Sequence, residues 1–378
     1  MTESSNMKVH KTPGLILDGT KLAWHQERIA AWLKGERIAP ITIDMALTRA
    51  CNYKCEYCYG VLQENPRSLL TREILFNFLD DAAEIGVKGI SLVSDGESTL
   101  SPHFVDFIEK GHANGLSMAV GTNGYLLDEE KLERILPRLT YLRFNLSAAE
   151  ASRYSEIHGV PESFFEVVCK NIANAVRIKR ENKLDVTIGM QMVLKPEYAD
   201  QILPVARLGR ELQPDYLVIK HCSDDESGSL NVDYSRYKGL FDTLTEAEKL
   251  STADYVVSVK WSKIGAEGKR TYAQCYGPPF ILQMSGSGLV APCGMLFGTH
   301  YSRYWIGNIA QTRFKELWDS DTYWAVMNEI ASPAFDAHTM CGSLCLQHKV
   351  NEYLWELKQN GHQPLKAEGS PPMHINFI

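Results

Sequence analysis

Apolar residues in the middle of the chain form two kinds of segment that alternate. Six short apolar runs have the character of buried strands, and they span 41–47, 87–93, 117–120, 141–146, 186–194 and 216–220. Segments with apolar residues at helical spacing predict helices over 71–85, 102–111, 128–135, 163–179 and 199–211. Thr71 is the predicted N-cap of the first helix and Gly86 its stop. Strands that alternate with helices predict a parallel sheet with crossover helices.

Six such units occupy about 180 residues, whereas a closed eight-unit barrel needs about 250. We therefore predict an α/β fold, a partial (β/α)6 TIM-like barrel over 41–265. Residues 1–40 form an N-terminal extension with a helix over 22–33. From 266 to 378 the periodicity weakens and Gly and Pro increase, which predicts a small second domain organised around metal.

Composition excludes several classes of partner. The 378 residues carry a net charge of −7, and basic residues are scattered, so a nucleic-acid partner is not expected. No stretch approaches the roughly 18 apolar residues that span a bilayer. The polar residues 1–11 lack the apolar centre of a signal peptide. These features predict a soluble cytoplasmic protein without a membrane partner.

Nine cysteines are many for such a protein, and seven of them fall into two groups, 51/55/58 and 275/293/341/345. Disulfides are rare in a reducing compartment, so clustered cysteines indicate metal or redox chemistry. The first group has the spacing C-x3-C-x2-C directly after a strand. Three thiolates on one tight loop can bind three irons of a [4Fe–4S] cluster and leave the fourth iron open. A zinc site with a distant fourth ligand, or coincidence, is the alternative.

The loop Cys51-Asn52-Tyr53-Lys54-Cys55-Glu56-Tyr57-Cys58 resembles that of the radical S-adenosylmethionine (AdoMet) superfamily, in which an aromatic residue such as Tyr57 precedes the third cysteine. The resemblance covers about residues 41–225. It implies that the open iron binds AdoMet and that one electron cleaves it to methionine and a 5′-deoxyadenosyl radical, which abstracts hydrogen from a substrate. It also implies a reducing partner such as flavodoxin or ferredoxin.

Several other positions are carried over from the family one by one. Gly96 and Glu97 match a Gly-Gly-Glu-Pro-like loop that contacts the cofactor ammonium, whereas Asp95 and Ser98 depart from it. The alternative for Asp95 and Glu97 is a helix-start loop near an N-terminal dipole. Three further positions have cofactor contacts or ordinary strand and loop roles as alternatives: Asn123, Ser147 and Gln191.

The second group begins with Cys275, twelve residues, Gly288, four residues and Cys293, and ends with Cys341 and Cys345. This pattern resembles the SPASM and twitch auxiliary-cluster domains, and four cysteines match the shorter twitch form with one fully ligated [4Fe–4S] cluster. The final C-x3-C spacing departs from the usual C-x2-C. A four-cysteine structural zinc site is the alternative.

Two cysteines stand alone. Cys169 lies within a predicted helix and is interpreted as a buried small residue. Cys222 follows a strand end and has two interpretations, a hydrogen-atom donor to a substrate radical or a residue that packs near the adenine. His221, Asp224 and Asp225 beside it are either acid–base groups or parts of a solvated loop.

These features predict a radical AdoMet enzyme that abstracts hydrogen from a small polar substrate, such as a sugar or aminocyclitol, and gives epimerisation or dehydrogenation. A peptide-modifying enzyme is the alternative, although 40 residues before the barrel are too few for a winged-helix peptide-binding domain. An iron–sulfur electron carrier or a zinc-stabilised binding protein is the alternative of another class.

Overall fold

The computed structural model describes residues 15, 17, 19–343, 345–360, 367 and 369–378. The stretch 1–11, on which the signal-peptide prediction rests, lies outside the described residues. Across the described ranges, no helix has the length and apolar character needed to cross a bilayer.

Seven parallel strands form the main part of the sheet. They are β1 Thr42–Met45, β2 Gly89–Leu92, β3 Ser117–Thr122, β4 Leu139–Asn145, β5 Thr187–Leu194, β6 Tyr216–His221 and β7 Val256–Val259. They pair in chain order, and every pair is parallel. The first six confirm the predicted partial barrel. A seventh strand, β7, was not predicted, because a run of four residues shows too little periodicity in the sequence.

Helices cover the outer face of these strands. They are α1 Gln26–Leu33, α2 Arg72–Ile85, α3 Phe104–Ala113, α4 Glu129–Ile135, α5 Ala151–His158, α6 Ser163–Glu181, α7 Ile202–Leu212, α8 Phe241–Glu248 and α9 Trp261–Ile264. The predicted caps of α2 are confirmed: Oγ1 of Thr71 accepts from the Ile74 amide at 3.3 Å, and Gly86 has a φ of 96°. The predicted helix over 22–33 is a 3₁₀ turn, Gly19–Trp24, followed by α1.

The sheet curves around an enclosed concave face. Alternate residues such as Ile43 and Met45 point outward into the main apolar core, so Asp44 between them points inward. Asp44 on β1 interacts electrostatically with Lys220 on β6, although five strand spacings of about 4.8 Å would separate them in a flat sheet. We call this concave face, lined by Asp44, Tyr141, Arg143, Tyr216 and Lys220, the lumen.

Residues 266–378 extend the same sheet. Strand β8 Ile281–Met284 pairs in parallel with β1, and two short antiparallel strands follow, β9 Leu289–Ala291 and β10 Gly307–Asn308. Three helices complete this part: α10 Phe314–Asp319, α11 Asp321–Ile330 and α12 His348–Asn360. The predicted boundary at 265/266 therefore does not coincide with a break in the sheet.

Residues 369–378, here called the floor segment, lie across the amino-terminal ends of the strands. The His374 Nε2 is 2.9 Å from the Thr187 Oγ1, and the Thr42 hydroxyl donates to the Asn376 carbonyl at 2.7 Å. Phe377 packs edge-on against Tyr141 at a ring separation of 5.1 Å. These contacts reach β1, β4 and β5 at once, so the floor segment covers the amino-terminal end of the lumen.

Candidate active site

The first cysteine group lies on the loop that follows β1, at the carboxyl-terminal edge of the sheet. The amides of Lys54 and Glu56 each donate to the end of α5, to the His158 and Ile157 carbonyls, both at 3.1 Å. The Cys58 amide donates to the Cys55 carbonyl at 3.1 Å and closes a tight turn. Cys51 is exposed, Cys55 is half-buried, and both thiols lie within electrostatic range of Cys58. The structure therefore brings the three predicted ligands together on one anchored loop.

The environment of these thiols fits a cationic metal group. Burial, with added repulsion from Glu97 and Cys58, raises the pKa of the Cys51 thiol to about 11. Burial also raises the pKa values of Cys55 and Cys58. Thiolates this close repel one another unless bound iron offsets their charge. Within the described ranges, no three His, Cys, Asp or Glu side chains converge on a single-ion position; in a cluster, by contrast, each thiolate binds a different iron.

His158 contacts the cysteine loop through its side chain. It was not predicted as a site residue. Its Nε2 accepts a hydrogen bond from the Ser147 amide at 3.1 Å, so the neutral ring carries its proton on Nδ1. That nitrogen lies 3.3 Å from both the Cys55 Sγ and the Tyr57 hydroxyl. Burial lowers the pKa of His158 to about 3, so the ring is neutral. His158 therefore offers an N–H donor to a predicted iron ligand.

Glu97 joins the loop after β2 to the end of β3. Its Oε1 accepts from the Thr99 hydroxyl at 2.8 Å and the Thr122 hydroxyl at 2.9 Å, and its Oε2 accepts from the Asn123 amide at 2.8 Å. Gly96 has a φ of +80°, and a Cβ there would lie 2.2 Å from the Thr48 carbonyl oxygen. Only glycine allows the loop after β2 to approach the start of the cysteine loop this closely.

Asp95 has a structural role that the sequence did not reveal. Its buried carboxylate pairs with the Arg49 Nε at 3.1 Å and accepts from the Ser285 hydroxyl at 2.7 Å and the Gly286 amide at 2.8 Å. It therefore joins the cysteine loop to the turn between β8 and β9. Where the family has a glycine, this chain has a carboxylate that links the cysteine loop to the C-terminal part of the chain.

The three remaining polar candidates are all buried: Asn123 and Ser147 follow the ends of β3 and β4, and Gln191 lies within β5, paired with Asn145 at the end of β4. The Asn123 Nδ2 donates to the Asn52 Oδ1 at 2.8 Å, which connects it to the cysteine loop. The Ser147 hydroxyl oxygen accepts from the Val193 amide at 3.1 Å. The Gln191 Nε2 donates to the Asn145 Oδ1 at 2.9 Å. The structure gathers all three above the lumen, although each also has a local structural partner.

Cys222 lies at the mouth of the lumen. It follows β6 on the same face as Lys220, is fully buried, and its Sγ is 3.8 Å from the Tyr57 carbonyl oxygen. Burial raises the pKa of its thiol to about 12, so it remains protonated. Cys222 is thus a neutral S–H group beside the first cysteine loop.

The residues around Cys222 support the loop. The His221 Nδ1 is 2.7 Å from the Cys222 carbonyl oxygen, and burial lowers the pKa of His221 to about 3. Asp224 accepts from the amides of residues 225, 230 and 232, and Asp225 accepts from those of 227 and 229. Their carboxylates hold turns, which favours the loop interpretation over acid–base roles. Cys169 on α6 is half-buried, so the interpretation of a buried residue is wrong.

The four cysteines of the second group, here called the tetrad, lie in one region of the fold. Cys275 precedes β8, Cys293 follows β9, and Cys341 and Cys345 lie before α12. The Cys293 thiol interacts electrostatically with all three others, and burial is the largest cause of its raised pKa. All four thiols are free; Cys293 and Cys345 are buried, and Cys275 and Cys341 are half-buried.

Polar groups surround this tetrad. The Arg270 Nη2 lies 3.4 Å from the Cys341 Sγ, and the Asn351 Nδ2 donates to the Cys275 Sγ at 3.4 Å. The Lys263 ammonium donates to the Cys345 carbonyl at 2.6 Å. Two cations and an amide donor near four sulfurs are suited to an anionic thiolate-ligated centre.

Tyr59 lies between the two cysteine groups. It follows Cys58 directly, and Cys293 and Cys341 are the largest electrostatic contributors to its raised pKa after burial. One aromatic side chain therefore adjoins both groups. No sequence pattern marked Tyr59, because its second neighbour is more than 230 positions away.

Comparisons with known proteins agree with this geometry. Residues 45–208 match the model of the Radical SAM superfamily. The AdoMet-dependent heme synthase of Methanosarcina barkeri is 24% identical over 297 residues, 75% of this chain and 83% of that protein. SuiB of Streptococcus suis bound to S-adenosylmethionine superposes with a TM-score of 0.63 at 15% identity, over 92% of this chain and 80% of that one. Native anSMEcpe with bound AdoMet gives 0.54 at 18% identity, over 80% and 88%.

At these identities the solved structures establish the fold alone, and the family match covers less than half of the chain. The matched range runs from the end of β1 into α7, and so includes the first cysteine loop and the loops carrying Glu97, Asn123 and Ser147. Over residues 45–208 the chain therefore resembles the radical SAM superfamily, whose enzymes use AdoMet.

Proposed function

We propose that this enzyme abstracts a hydrogen atom from a small polar molecule, with one [4Fe–4S] cluster on Cys51, Cys55 and Cys58 and a second on the tetrad. One observation carries the proposal: the thiols lie in two groups, three on one anchored loop and four within electrostatic range of one another, with Tyr59 between them. A group of three leaves one iron open to AdoMet, whereas a group of four leaves none.

With both groups bound, the cofactor would supply the 5′-deoxyadenosyl radical, and the chain would supply position and shelter. The exposed Gly96 and the buried Glu97, Asn123, Ser147 and Gln191 would bind AdoMet beside the cysteine loop. The lumen would receive the substrate, since it opens toward the cysteine loop and is covered at its other end by the floor segment.

Epimerisation is the outcome that Cys222 favours. The substrate radical would take the hydrogen atom of the Cys222 S–H bond and leave a thiyl radical on sulfur. One electron and one proton would then restore the thiol, and the electron would come from the tetrad's cluster or from a flavodoxin- or ferredoxin-type reductant. A buried, protonated thiol at the lumen mouth is what such a donor requires.

Dehydrogenation is the second candidate, and the tetrad supports it. The substrate radical would lose a proton to a base and one electron to the tetrad's cluster. The cluster would then pass this electron to a flavodoxin- or ferredoxin-type protein. A fully ligated cluster exchanges electrons without binding substrate.

A peptide substrate is the alternative to a small metabolite. SuiB, which has the same fold, has been solved bound to the precursor peptide SuiA. The charged side chains inside the covered lumen favour a compact polar ligand here. Presenting sugars, aminocyclitols and precursor-like peptides in parallel would decide between the classes.

The central test is anaerobic reconstitution of the full chain followed by reduction and measurement of 5′-deoxyadenosine. We expect about eight irons per chain from two clusters, and loss of the product in Cys51→Ala, with Cys169→Ala as the matched control. Intact clusters without 5′-deoxyadenosine would favour an electron carrier. About four irons with bound zinc would contradict the second cluster.

The reaction type is tested by Cys222→Ala in deuterated water with a turned-over substrate. Epimerisation should introduce one solvent deuterium into the product of the native enzyme, and the variant should stop forming that product while still making 5′-deoxyadenosine. Dehydrogenation should show no dependence on Cys222. Cys169→Ala again serves as the control, because it removes a thiol outside the lumen.

A further inference from the structure

The lumen contains three charged side chains that the proposed function does not yet use. Asp44 on β1, Arg143 on β4 and Lys220 on β6 interact with one another through space. In the described part of the chain, none of the three forms an ion pair. Asp44 is buried, and Arg143 and Lys220 are half-buried.

Such an arrangement is costly in an empty barrel. A buried charge without a partner destabilises a fold. The Arg143 Nε is fully buried and has no hydrogen-bond partner among the described residues. Burial, with repulsion from Arg143 next, lowers the pKa of Lys220 to about 7. Apolar side chains would fill this space at lower cost, which indicates that the charges serve a ligand.

The neighbours of Arg143 position its guanidinium without neutralising it. In the register of the sheet, Arg143 lies between Gly121 on β3 and Gly189 on β5. The Tyr216 ring occupies the space above Gly189, where a Cβ would meet it at 2.1 Å. The Tyr141 ring flanks the group, with its centroid 5.7 Å from the Arg143 Cζ. Two aromatic rings thus hold Arg143, and neither neighbouring glycine has a side chain that could pair with it.

Arg143 and Lys220 lie on the side of the lumen that leads to the proposed reaction site. Lys220 is two residues before Cys222 on the same face of β6, at the lumen mouth. The floor segment covers the opposite end. A group bound at Arg143 and Lys220 would therefore point the rest of its molecule toward Cys222 and the cysteine loop.

We propose that Arg143 and Lys220 bind an anionic group of the substrate, a carboxylate or a phosphate. The inference rests on the proposed function and names its substrate class. A guanidinium matches either group through two parallel hydrogen bonds. The Arg143 guanidinium and the Lys220 amine together complement a single anionic group.

The test titrates the reconstituted full chain, with AdoMet already bound, with inorganic phosphate and separately with acetate at low ionic strength. Binding is followed by ³¹P and ¹³C line widths. Saturating AdoMet ensures that its own carboxylate site is filled. The variants are Arg143→Gln, Lys220→Met and the conservative Arg143→Lys, with Arg207→Gln, an exposed arginine on α7, as the matched control.

We expect at least one anion to bind the native chain and Arg207→Gln equally. Arg143→Gln and Lys220→Met should weaken it tenfold or more, and Arg143→Lys should weaken it less. Binding of phosphate alone or acetate alone identifies the group. Binding of neither anion, or equal binding to the native chain and Lys220→Met, would overturn the inference. Anion binding without 5′-deoxyadenosine formation would refute the proposed function alone.

Discussion

At the scale of single residues, His158 has the most consequential set of contacts in the site. One neutral ring accepts from the Ser147 amide and presents its Nδ1–H to Cys55 and Tyr57. It therefore fixes the ends of α5 and β4 relative to the cysteine loop. Hydrogen bonds to ligating sulfurs stabilise the more negative, reduced state of an iron–sulfur centre.

Replacing His158 should change the reduction potential of the first cluster. In His158→Leu we expect the potential to fall by roughly 50 mV, because about 1 kcal/mol of hydrogen-bond stabilisation of the reduced state is lost. His158→Asn keeps an N–H donor and should fall by less. Spectroelectrochemical titration followed by EPR measures both variants. An unchanged potential in His158→Leu with full iron content would contradict the donor role.

At this scale, the sequence predicts a site residue only where the residue belongs to a local pattern. The spacing of the cysteines is such a pattern, so both groups could be proposed as metal ligands from the sequence alone. His158 and Arg143 have no such local signature, since their partners are distant in sequence: Cys55 is 103 positions from His158. Their roles arise only when the sheet curves.

At the scale of elements, the short floor segment stabilises several strands of the barrel. Phe377 is buried against Tyr141 and Ala119, on the lumen face of β3 and β4. His374 and Asn376 add hydrogen bonds to the strand ends. A segment of ten residues thereby stabilises strands that lie far apart in sequence.

Truncating Phe377 should measure that contribution. We expect Phe377→Ala to lower the free energy of unfolding by about 3 kcal/mol, the usual cost of removing a buried phenyl ring. Met373→Ala, at a 51% exposed position in the same segment, should change it by less than about 0.5 kcal/mol. Urea unfolding followed by circular dichroism provides both values. Equal effects in the two variants would indicate that the floor segment is not packed.

His374 should make stability depend on pH. Burial, with Lys21 and Arg143 adding repulsion, lowers the pKa of His374 to about 3, against 6.5 for an ordinary histidine. Between these values the unfolded chain binds the proton and the folded chain does not, so stability falls as pH drops below 6.5. We expect the native chain to lose roughly 1–2 kcal/mol more than His374→Asn from pH 7 to pH 5, measured by urea unfolding at each pH, because His158 and His221 keep their lowered pKa values in both proteins. Parallel pH profiles in the two proteins would contradict the assignment.

The elements recovered from the sequence were those with strong periodicity and caps. Thr71 and Gly86 bounded α2 correctly because both carry capping chemistry. Helix α5 was missed, since Ala151–His158 has few apolar residues and its Tyr154 and Ile157 give only a weak helical pattern. The floor segment has no periodicity at all, and its order comes from contacts with strand ends.

At the scale of the whole molecule, the barrel and the C-terminal part share one sheet. Strand β8 pairs with β1 along four residues, and Asp95 bonds the turn after β8 to the first cysteine loop. The sequence suggested a separate small domain, because periodicity changes near residue 265. Pairing between positions about 240 apart leaves no local pattern, so the continuity of the sheet could not be predicted.

Removing the C-terminal part should therefore disable the barrel. We expect a chain ending at residue 265 to aggregate, because β1 would expose an unpaired edge and Leu282 and Met284 would leave the main core. Sedimentation and dye binding to exposed apolar surface measure this. As the control, a protease site in the exposed loop near Lys269 should allow cutting after folding without separation of the fragments. A monomeric, folded 1–265 fragment would show that the barrel is autonomous.

The pairing of β1 with β8 also has a consequence for synthesis. Strand β1 ends at residue 45 and β8 at residue 284, so 239 residues must be added before the edge of β1 is covered. At ordinary translation rates this takes roughly 10–50 s. During that interval the nascent chain exposes a strand edge beside three reduced thiols. Chaperone occupancy on the ribosome, and metal loading only after release, are therefore expected of this topology.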